Sequence, residues 1–231
     1  MRKERLWKWV KRAVFAGLYM GVVAIGLMEV YEKEVTAVFA LPAGQRVVVV
    51  DAGHGGWDPG MVSPAGTEEA PINLLIAEQL QRYLELGGAT VLMTRAGDDA
   101  LADTKRGDLN ARKGIADGAS ADVLVSIHQN SYPAANVRGA QAFYYGESEE
   151  GKRLAEAIQA QIGSYLDPGN HRAAKADTGY YLLKETAVPS VIVECGFLSN
   201  TEEGALLSRE EYQERVAWAV YVGVVRYFAG E

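Results

Sequence analysis

The chain has 231 residues and a net charge of −7, with 48% apolar and 23% charged residues. This composition excludes disordered and collagen-like chains, and the length allows an enzyme-sized core. The single cysteine, Cys195, excludes an internal disulfide. Residues 1–12 carry six Lys/Arg and one Glu, a local +5, so the remaining 219 residues sum to −12. The net negative charge of residues 13–231 argues against nucleic acid as a partner, because phosphate binding requires clustered basic residues.

The N-terminal segment has the pattern of an export or membrane signal. Residues 13–28 contain no charge and follow the basic cluster directly, which is the order found in signal sequences. A helix of this length spans roughly 24 Å, slightly less than the bilayer core of about 30 Å. We predict a signal peptide or membrane anchor over residues 1–28 and favour the anchor. Because the basic end of such a segment stays on the cytoplasmic side, the chain after residue 28 should lie outside the cytoplasmic membrane.

The remainder of the chain alternates strand and helix patterns after a predicted linker at residues 29–44. Strands are predicted over residues 47–51, 89–95, 122–128, 139–145 and 190–194, with a further short strand over 180–184. Helices are predicted over residues 72–86, 106–117, 148–166 and 209–228. This alternation predicts an α/β fold. We expect a single domain over residues 45–231, with a mainly parallel central sheet flanked by helices.

Three polar side chains stand at or just after the ends of apolar strands. His54 lies in a glycine-rich stretch after the first strand, His128 ends the strand at 122–128, and Glu194 ends the strand at 190–194. In open α/β sheets the ligand site lies beyond the carboxyl ends of the strands. We therefore expect these three side chains to converge, although each taken alone is equally consistent with a local turn or a hydrogen-bonded strand end.

The two histidines favour a zinc site. Zinc in hydrolytic enzymes commonly has three protein ligands, drawn from histidine and carboxylate. Glu68 and Glu69 stand at the entry of the helix over 72–86, where the helix dipole favours a carboxylate, and either is a candidate third ligand. His171 lies in a polar segment predicted as a surface loop. Cys195 should point away from Glu194 and into the core, because side chains alternate along a strand.

Three ordered motifs resemble those of the zinc-dependent N-acetylmuramoyl-L-alanine amidases of bacterial cell walls. They are Val-Val-Asp-Ala-Gly-His-Gly-Gly around His54, Ser-Ile-His-Gln-Asn around His128, and Val-Glu-Cys-Gly-Phe-Leu-Ser-Asn from Val193. The resemblance covers residues 46–228. Tyr-Tyr-Leu-Leu-Lys at residues 180–184 and the segment 189–200 resemble in particular the sporulation- and germination-specific members, which act on spore cortex peptidoglycan.

The resemblance implies one zinc ion per chain, held by His54, Glu69 and His128, with Glu194 as the catalytic glutamate. The ligand glutamate of the family lies four residues before an Asn-Leu pair, which here is Asn73-Leu74 and selects Glu69 over Glu68. Ala70-Pro71 departs from the basic and polar residues that relatives have after this glutamate. Proline is tolerated in a first helical turn, so we expect the helix to start normally.

The implied reaction is hydrolysis of the amide between the lactyl group of N-acetylmuramic acid and L-alanine of the stem peptide. In spore cortex maturation this is a step toward muramic δ-lactam, which germination requires. Asn130, Asn73 and Arg95 are candidate substrate contacts, with local hydrogen bonding or surface ion pairing as alternatives. For Arg112 we favour a surface ion pair.

The resemblance also implies where the protein works and with what. The partners are peptidoglycan, the membrane through the N-terminal segment, and a targeting or activating protein, since the chain has no room for wall-binding repeats. The location in a spore former is the space between the forespore membranes. Two alternatives are a zinc peptidase that cuts within the stem peptide and a non-catalytic protein that binds or assembles the wall.

Overall fold

The structure, a computed structural model, describes residues 2–39 and 41–231, so Met1 and Ala40 of the predicted N-terminal segment and linker lie outside it. The chain divides into two compact units, Met1–Leu41 and Pro42–Glu231. The first unit contains one helix, α1 (Arg2–Phe39). Trp7–Met28 within it is long and apolar enough to cross a membrane, with a mean hydropathy of 1.6 and no burial among the side chains that the structure describes there. Membrane anchors and signal sequences share these features.

The predicted linker differs from the structure in its first part. The helix continues through Phe39 instead of ending near residue 28. Residues 29–39 contain neither glycine nor proline, the two residues that most strongly oppose a helix interior. The second unit begins at Pro42, three residues earlier than the domain start predicted from the sequence.

The second unit alternates strands and helices. The strands are β1 (Val47–Ala52), β2 (Thr90–Met93), β3 (Val123–Asn130), β4 (Gln141–Tyr145), β5 (Lys175–Asp177) and β6 (Ser190–Phe197), and the helices are α2 (Glu69–Leu86), α3 (Lys105–Gly118), α4 (Glu149–Gln161), α5 (Tyr181–Glu185), α6 (Thr201–Leu207) and α7 (Glu210–Ala229). A π-helical turn, Ile162–Leu166, extends α4.

The six strands form one sheet in the order β2-β1-β3-β6-β4-β5. The first four strands in this order are parallel, β4 runs antiparallel to β6, and β5 runs parallel to β4. In β3 and β6, His128 and Glu194 are direct register partners. Because the parallel strands end at one edge of the sheet, their terminal polar residues meet there.

The side chains of the parallel strands alternate between two apolar layers. Val48 and Val50 pack in the larger cluster with the helices α2, α4 and α7. Val49, between them, packs on the other face against Ala116 of α3 and Leu182 of α5. Both faces of the sheet are therefore covered, and the predicted α/β fold with a mainly parallel sheet is confirmed.

Three local features differ from the sequence prediction. The segment predicted as a short strand, residues 180–184, instead lies mostly in helix α5 (Tyr181–Glu185). The short strand β5 and helix α6 were not predicted. Helix α6 does have a sequence signal, since Asn200 precedes Glu203 by three residues in the manner of a capping box. The Asn200 side chain accepts hydrogen bonds from the backbone N–H groups of Glu202 and Glu203.

Candidate metal centre

The loop after β1 holds His54 in an uncommon backbone conformation. Its φ is +63°, in the left-handed region, which costs a non-glycine residue free energy and is concentrated at functional sites. Nη2 of Arg112 donates to the carbonyl of His54 at 2.7 Å, and Nη2 of Arg95 donates to the carbonyl of Gly53 at 3.1 Å. Two buried arginines thus hold the loop in this form.

Three side chains converge at the carboxyl edge of the sheet. Nε2 of His54 lies 3.3 Å from Oε1 of Glu69, and Nδ1 of His128 lies 3.0 Å from the same oxygen. The three side chains can each offer one ligand atom, all within 4.8 Å of one another. The two imidazole rings meet edge to face, with centroids 4.9 Å apart. These three side chains, called the trio below, can supply the three protein ligands of a metal site.

Glu69 is the carboxylate that reaches the histidines. It starts α2 and is 3% exposed, whereas Glu68 is the exposed residue before the helix. Oε2 of Glu69 accepts from the backbone N–H of Met61 at 2.9 Å, and Oε1 accepts from that of Gln129 at 2.9 Å. Burial opposes its charge, but the contacts with His128 and His54 outweigh burial and hold the pKa of Glu69 well below its usual range. Glu69 is therefore a fixed carboxylate that favours its ionised form beside both histidines.

Two glycines leave the space that these side chains occupy. A Cβ atom at Gly53 would lie 2.2 Å from Cε1 and Nε2 of His128. A Cβ atom at Gly60 would lie 2.6 Å from Oε2 of Glu69 and 2.9 Å from Cδ2 of His54. The backbone thus packs directly against the imidazole and carboxylate groups, so that only glycine fits at either position.

Asp58 contacts the other nitrogen of His54. Its Oδ2 lies 2.9 Å from Nδ1 of His54, although this nitrogen has no contact of hydrogen-bond geometry within the described residues. At this distance the carboxylate and the imidazole are in direct polar contact. Lys105 also contacts Oδ2, and despite partial burial the contacts with Lys105 and His54 lower the pKa of Asp58 to about 2. A carboxylate behind a histidine fixes the ring of a metal ligand in this way.

Glu194 stands beside the trio in a cleft of about 440 Å³ that all four side chains line. It is 6% exposed. Oε1 accepts a hydrogen bond from the hydroxyl of Tyr180 at 3.1 Å, while Oε2 is buried without a partner among the described residues. Burial raises the pKa of Glu194, and the nearby charge of Glu69 acts in the same direction. The site therefore holds two buried carboxylates, and one carboxylate oxygen, Oε2 of Glu194, has no partner among the described residues.

Arg95 and Asn73, predicted as substrate contacts, are buried and do not line the cleft. Arg95 is 4% exposed and Asn73 is fully buried. Arg95 donates to backbone carbonyls, including those of Ala52 and Ala70, and Asn73 donates to Gly53 and to Glu69. All of these partners are groups of the protein itself, so both side chains stabilise the loop after β1 that carries His54. Asn130 does line the cleft, and its predicted substrate contact stays a prediction.

Arg112 is buried and not at the surface as the sequence suggested. It is 2% exposed and pairs with Asp51 at 2.7 Å and with Asp108 at 2.6 Å. The sequence carried a signal for this, because Asp108 and Arg112 are four residues apart on α3 and Asp51 ends an apolar strand. The network joins α3 to β1 directly behind His54.

Replacing Arg112 with methionine should cost about 3–5 kcal/mol of folding free energy, because two buried carboxylates would lose their partner. Arg153→Met is the matched control. Its guanidinium pairs with Glu150 at half-exposed positions, where solvent screens the ion pair and leaves it little effect on stability. Urea unfolding of the full chain in detergent compares the two, and equal costs would show that the Arg112 network contributes no more than a surface pair.

Two remaining residues lie where the sequence predicted. Cys195 is fully buried in the larger apolar cluster, opposite Glu194 on β6, and burial raises the pKa of its thiol well above the usual range. A thiolate nucleophile is therefore excluded at this position. His171 is exposed and takes no part in the trio.

The residues at the site fit a zinc ion. Two imidazole nitrogens and one carboxylate are a donor set that zinc prefers. Gly53 and Gly60 let the donor groups lie close together, and Asp58 contacts the far nitrogen of His54. Oε2 of Glu194 has no partner among the described residues, so a bound cation can compensate the negative charge there. These are properties of the donor groups themselves and hold independently of any relative.

Comparison with known proteins agrees with the site. Residues 48–226 match the family model described as N-acetylmuramoyl-L-alanine amidase. The chain is 36% identical over 198 residues to the germination-specific N-acetylmuramoyl-L-alanine amidase of Bacillus subtilis (strain 168), covering 82% of this chain and 83% of that protein.

Solved structures are similar over the same region. One is the CwlD amidase from Clostridioides difficile in complex with the GerS lipoprotein, with a TM-score of 0.78 and 38% identity over 81% of this chain and 100% of that chain. Another is the catalytic domain of CwlV, an amidase from Bacillus (Paenibacillus) polymyxa var. colistinus, with a TM-score of 0.71 and 30% identity over the same shares. The resemblance found in the sequence motifs is thereby confirmed: the chain is a hydrolase that belongs to the N-acetylmuramoyl-L-alanine amidase family.

Proposed function

We propose that this amidase releases stem peptides from spore cortex peptidoglycan, with zinc held by His54, Glu69 and His128 and with Glu194 as general base and acid. The observation that carries the site assignment is the convergence of the three donor groups beside a buried carboxylate that has one free oxygen. The cortex assignment is supported by the germination-specific relative, which matches more than four fifths of both chains.

The family depends on zinc, and one ion per chain matches the single donor trio among the described residues. When bound, zinc supplies a Lewis acid that lowers the pKa of water and polarises the amide carbonyl. His54, Glu69 and His128 hold it. Glu69 is fixed by its hydrogen bonds to the backbone, and Asp58 contacts the far nitrogen of His54, so both groups are oriented as ligands.

Glu194 moves the proton. Oε2, the buried oxygen without a partner, accepts a proton from the attacking water as the water oxygen bonds to the amide carbon. The amide C–N bond then breaks, and the proton passes from Oε2 to the departing L-alanine nitrogen. The second proton of the water leaves the new carboxyl group for the released amine, so Glu194 ends ionised, as it began, and the products are a lactyl carboxylate on the glycan and a peptide with a protonated amino terminus.

The N-terminal unit supports a place at the membrane. We propose that residues 1–28 anchor the protein, so that residues 45–231 act as a catalytic domain on the outer side, between the forespore membranes. A C. difficile relative was solved with the GerS lipoprotein, and we propose that this chain also acts with a lipoprotein partner. Such a partner should co-purify with this chain from sporulating cells. Substitutions on the surface of residues 45–231 should abolish this co-purification.

The amidase assignment predicts a defined set of products. The full chain in detergent, loaded with zinc, should digest cortex peptidoglycan to free peptides beginning with L-alanine and to glycan stripped of peptide, as measured by muropeptide mass spectrometry. The same preparation treated with a chelator is the control. Peptides that begin at a residue after L-alanine would instead identify a peptidase that cuts within the stem.

A further inference from the structure

We propose that Tyr180 is a positioning residue that ties down one oxygen of Glu194 and thereby makes Oε2 the oxygen that takes the proton. This inference rests on the proposed role of Glu194. In the sequence, Tyr180 stands only within the Tyr-Tyr-Leu-Leu-Lys motif, and no role follows from its position there. In the structure its hydroxyl donates to Oε1 of Glu194 at 3.1 Å, and it also lines the cleft.

Apolar packing fixes the ring of Tyr180. It packs edge to face on Phe143, with centroids 5.6 Å apart, and joins the small apolar cluster of Phe143, Leu183 and Ile192. Its backbone is fixed as well, because its N–H donates to Oδ1 of Asp177 at 3.0 Å just before α5 begins. A hydroxyl mounted on a packed ring costs little further entropy to keep in place.

The two oxygens of Glu194 are unequal as a result. Oε1 has the phenol as donor, whereas Oε2 is buried and has no partner in the described part of the chain. A carboxylate free to rotate about its last bond would offer either oxygen, and only one of them would face the water and the amide nitrogen. The hydrogen bond to Oε1 removes this ambiguity.

The phenol suits both protonation states of Glu194. When Oε2 carries the proton, Oε1 is a carbonyl oxygen and still accepts from Tyr180. Tyr180 therefore need not move between the two proton transfers. Burial and the charge of Glu194 raise the pKa of Tyr180 above its usual value, which keeps the phenol protonated and able to donate.

The decisive variant is Tyr180→Phe, which removes the hydroxyl and keeps the packed ring. On the zinc-loaded full chain, kcat should fall about 10- to 100-fold, the range for groups that orient a catalytic residue, while KM, zinc content and Tm stay as in the wild type. Tyr227→Phe is the matched control. Its hydroxyl donates to Oε2 of Glu150 at 2.9 Å on the outer surface, so it removes the same kind of hydrogen bond and should leave kcat unchanged.

A second readout does not depend on turnover. The infrared difference between Tyr180→Phe and wild type should show a shifted carboxylate band, and this band should vanish when the comparison is repeated in a Glu194→Gln background. A kcat within twofold of wild type, a loss confined to KM, or a carboxylate band that persists without Glu194 would each overturn the inference. If the wild type releases no stem peptide, the proposed function itself fails, whatever Tyr180→Phe does.

Discussion

Glu194→Gln should abolish almost all turnover and leave zinc in place. The amide keeps the size of the carboxylate and still accepts from Tyr180 through its oxygen, but the NH₂ group that replaces Oε2 cannot take a proton. Loss of a general base and acid costs about 10²–10⁴-fold in rate, and because Glu194 serves in both proton transfers we expect the upper end of this range. Peptide release gives kcat, and metal analysis of the same sample gives zinc content.

Glu150→Gln is the matched control for this prediction. Glu150 also accepts from a tyrosine hydroxyl, but on the outer surface, and its replacement should leave peptide release unchanged. If Glu194→Gln kept a tenth or more of wild-type kcat, the proton would have to move through another group. If it lost zinc, Glu194 would be a ligand and the assignment of the trio would need revision.

His54→Asn should remove the metal and the activity together. Asparagine suits the left-handed backbone at this position, so the loop is not strained further, but the imidazole is gone. Zinc sites with four protein ligands bind with about 10–16 kcal/mol, so one ligand contributes roughly 2.5–4 kcal/mol and its loss weakens binding on the order of 10²–10³-fold. Competition with a chromophoric chelator measures this affinity directly.

His171→Asn controls for nonspecific loss of a histidine, since His171 lies on the exposed surface away from the cleft. It should bind zinc as the wild type does. Together the variants separate two roles, because Glu194→Gln should lose turnover while keeping zinc and His54→Asn should lose both. Wild-type zinc affinity in His54→Asn would remove His54 from the ligand set.

The sequence was sufficient to place the polar residues that stand at strand ends. His128 and Glu194 close two apolar runs, and parallel strands deliver such residues to one edge of the sheet. Register then makes them direct neighbours on β3 and β6. The fold class followed for the same reason, since the alternation of apolar runs and helical patterns is visible along the body of the chain.

Roles that depend on burial across the fold were beyond the sequence for Arg95, Asn73 and Tyr180, and the sequence carried only a partial signal for Arg112. Arg95 and Asn73 have the chemistry of substrate contacts, and only the packed loop shows that their donors are used on backbone carbonyls. Arg112 looks like a surface residue until Asp51 is seen behind it. Tyr180 reaches Glu194 from the start of a five-residue helix, a contact that no local periodicity encodes.

The most direct test of the site assignment is anomalous diffraction at the zinc edge from crystals of the zinc-loaded protein. We predict one peak per chain, bounded by Nε2 of His54, a carboxylate oxygen of Glu69 and Nδ1 of His128, with Glu194 beside the ion and not bonded to it. A peak coordinated by Glu194 in place of Glu69, or zinc found only at other residues, would contradict the assignment.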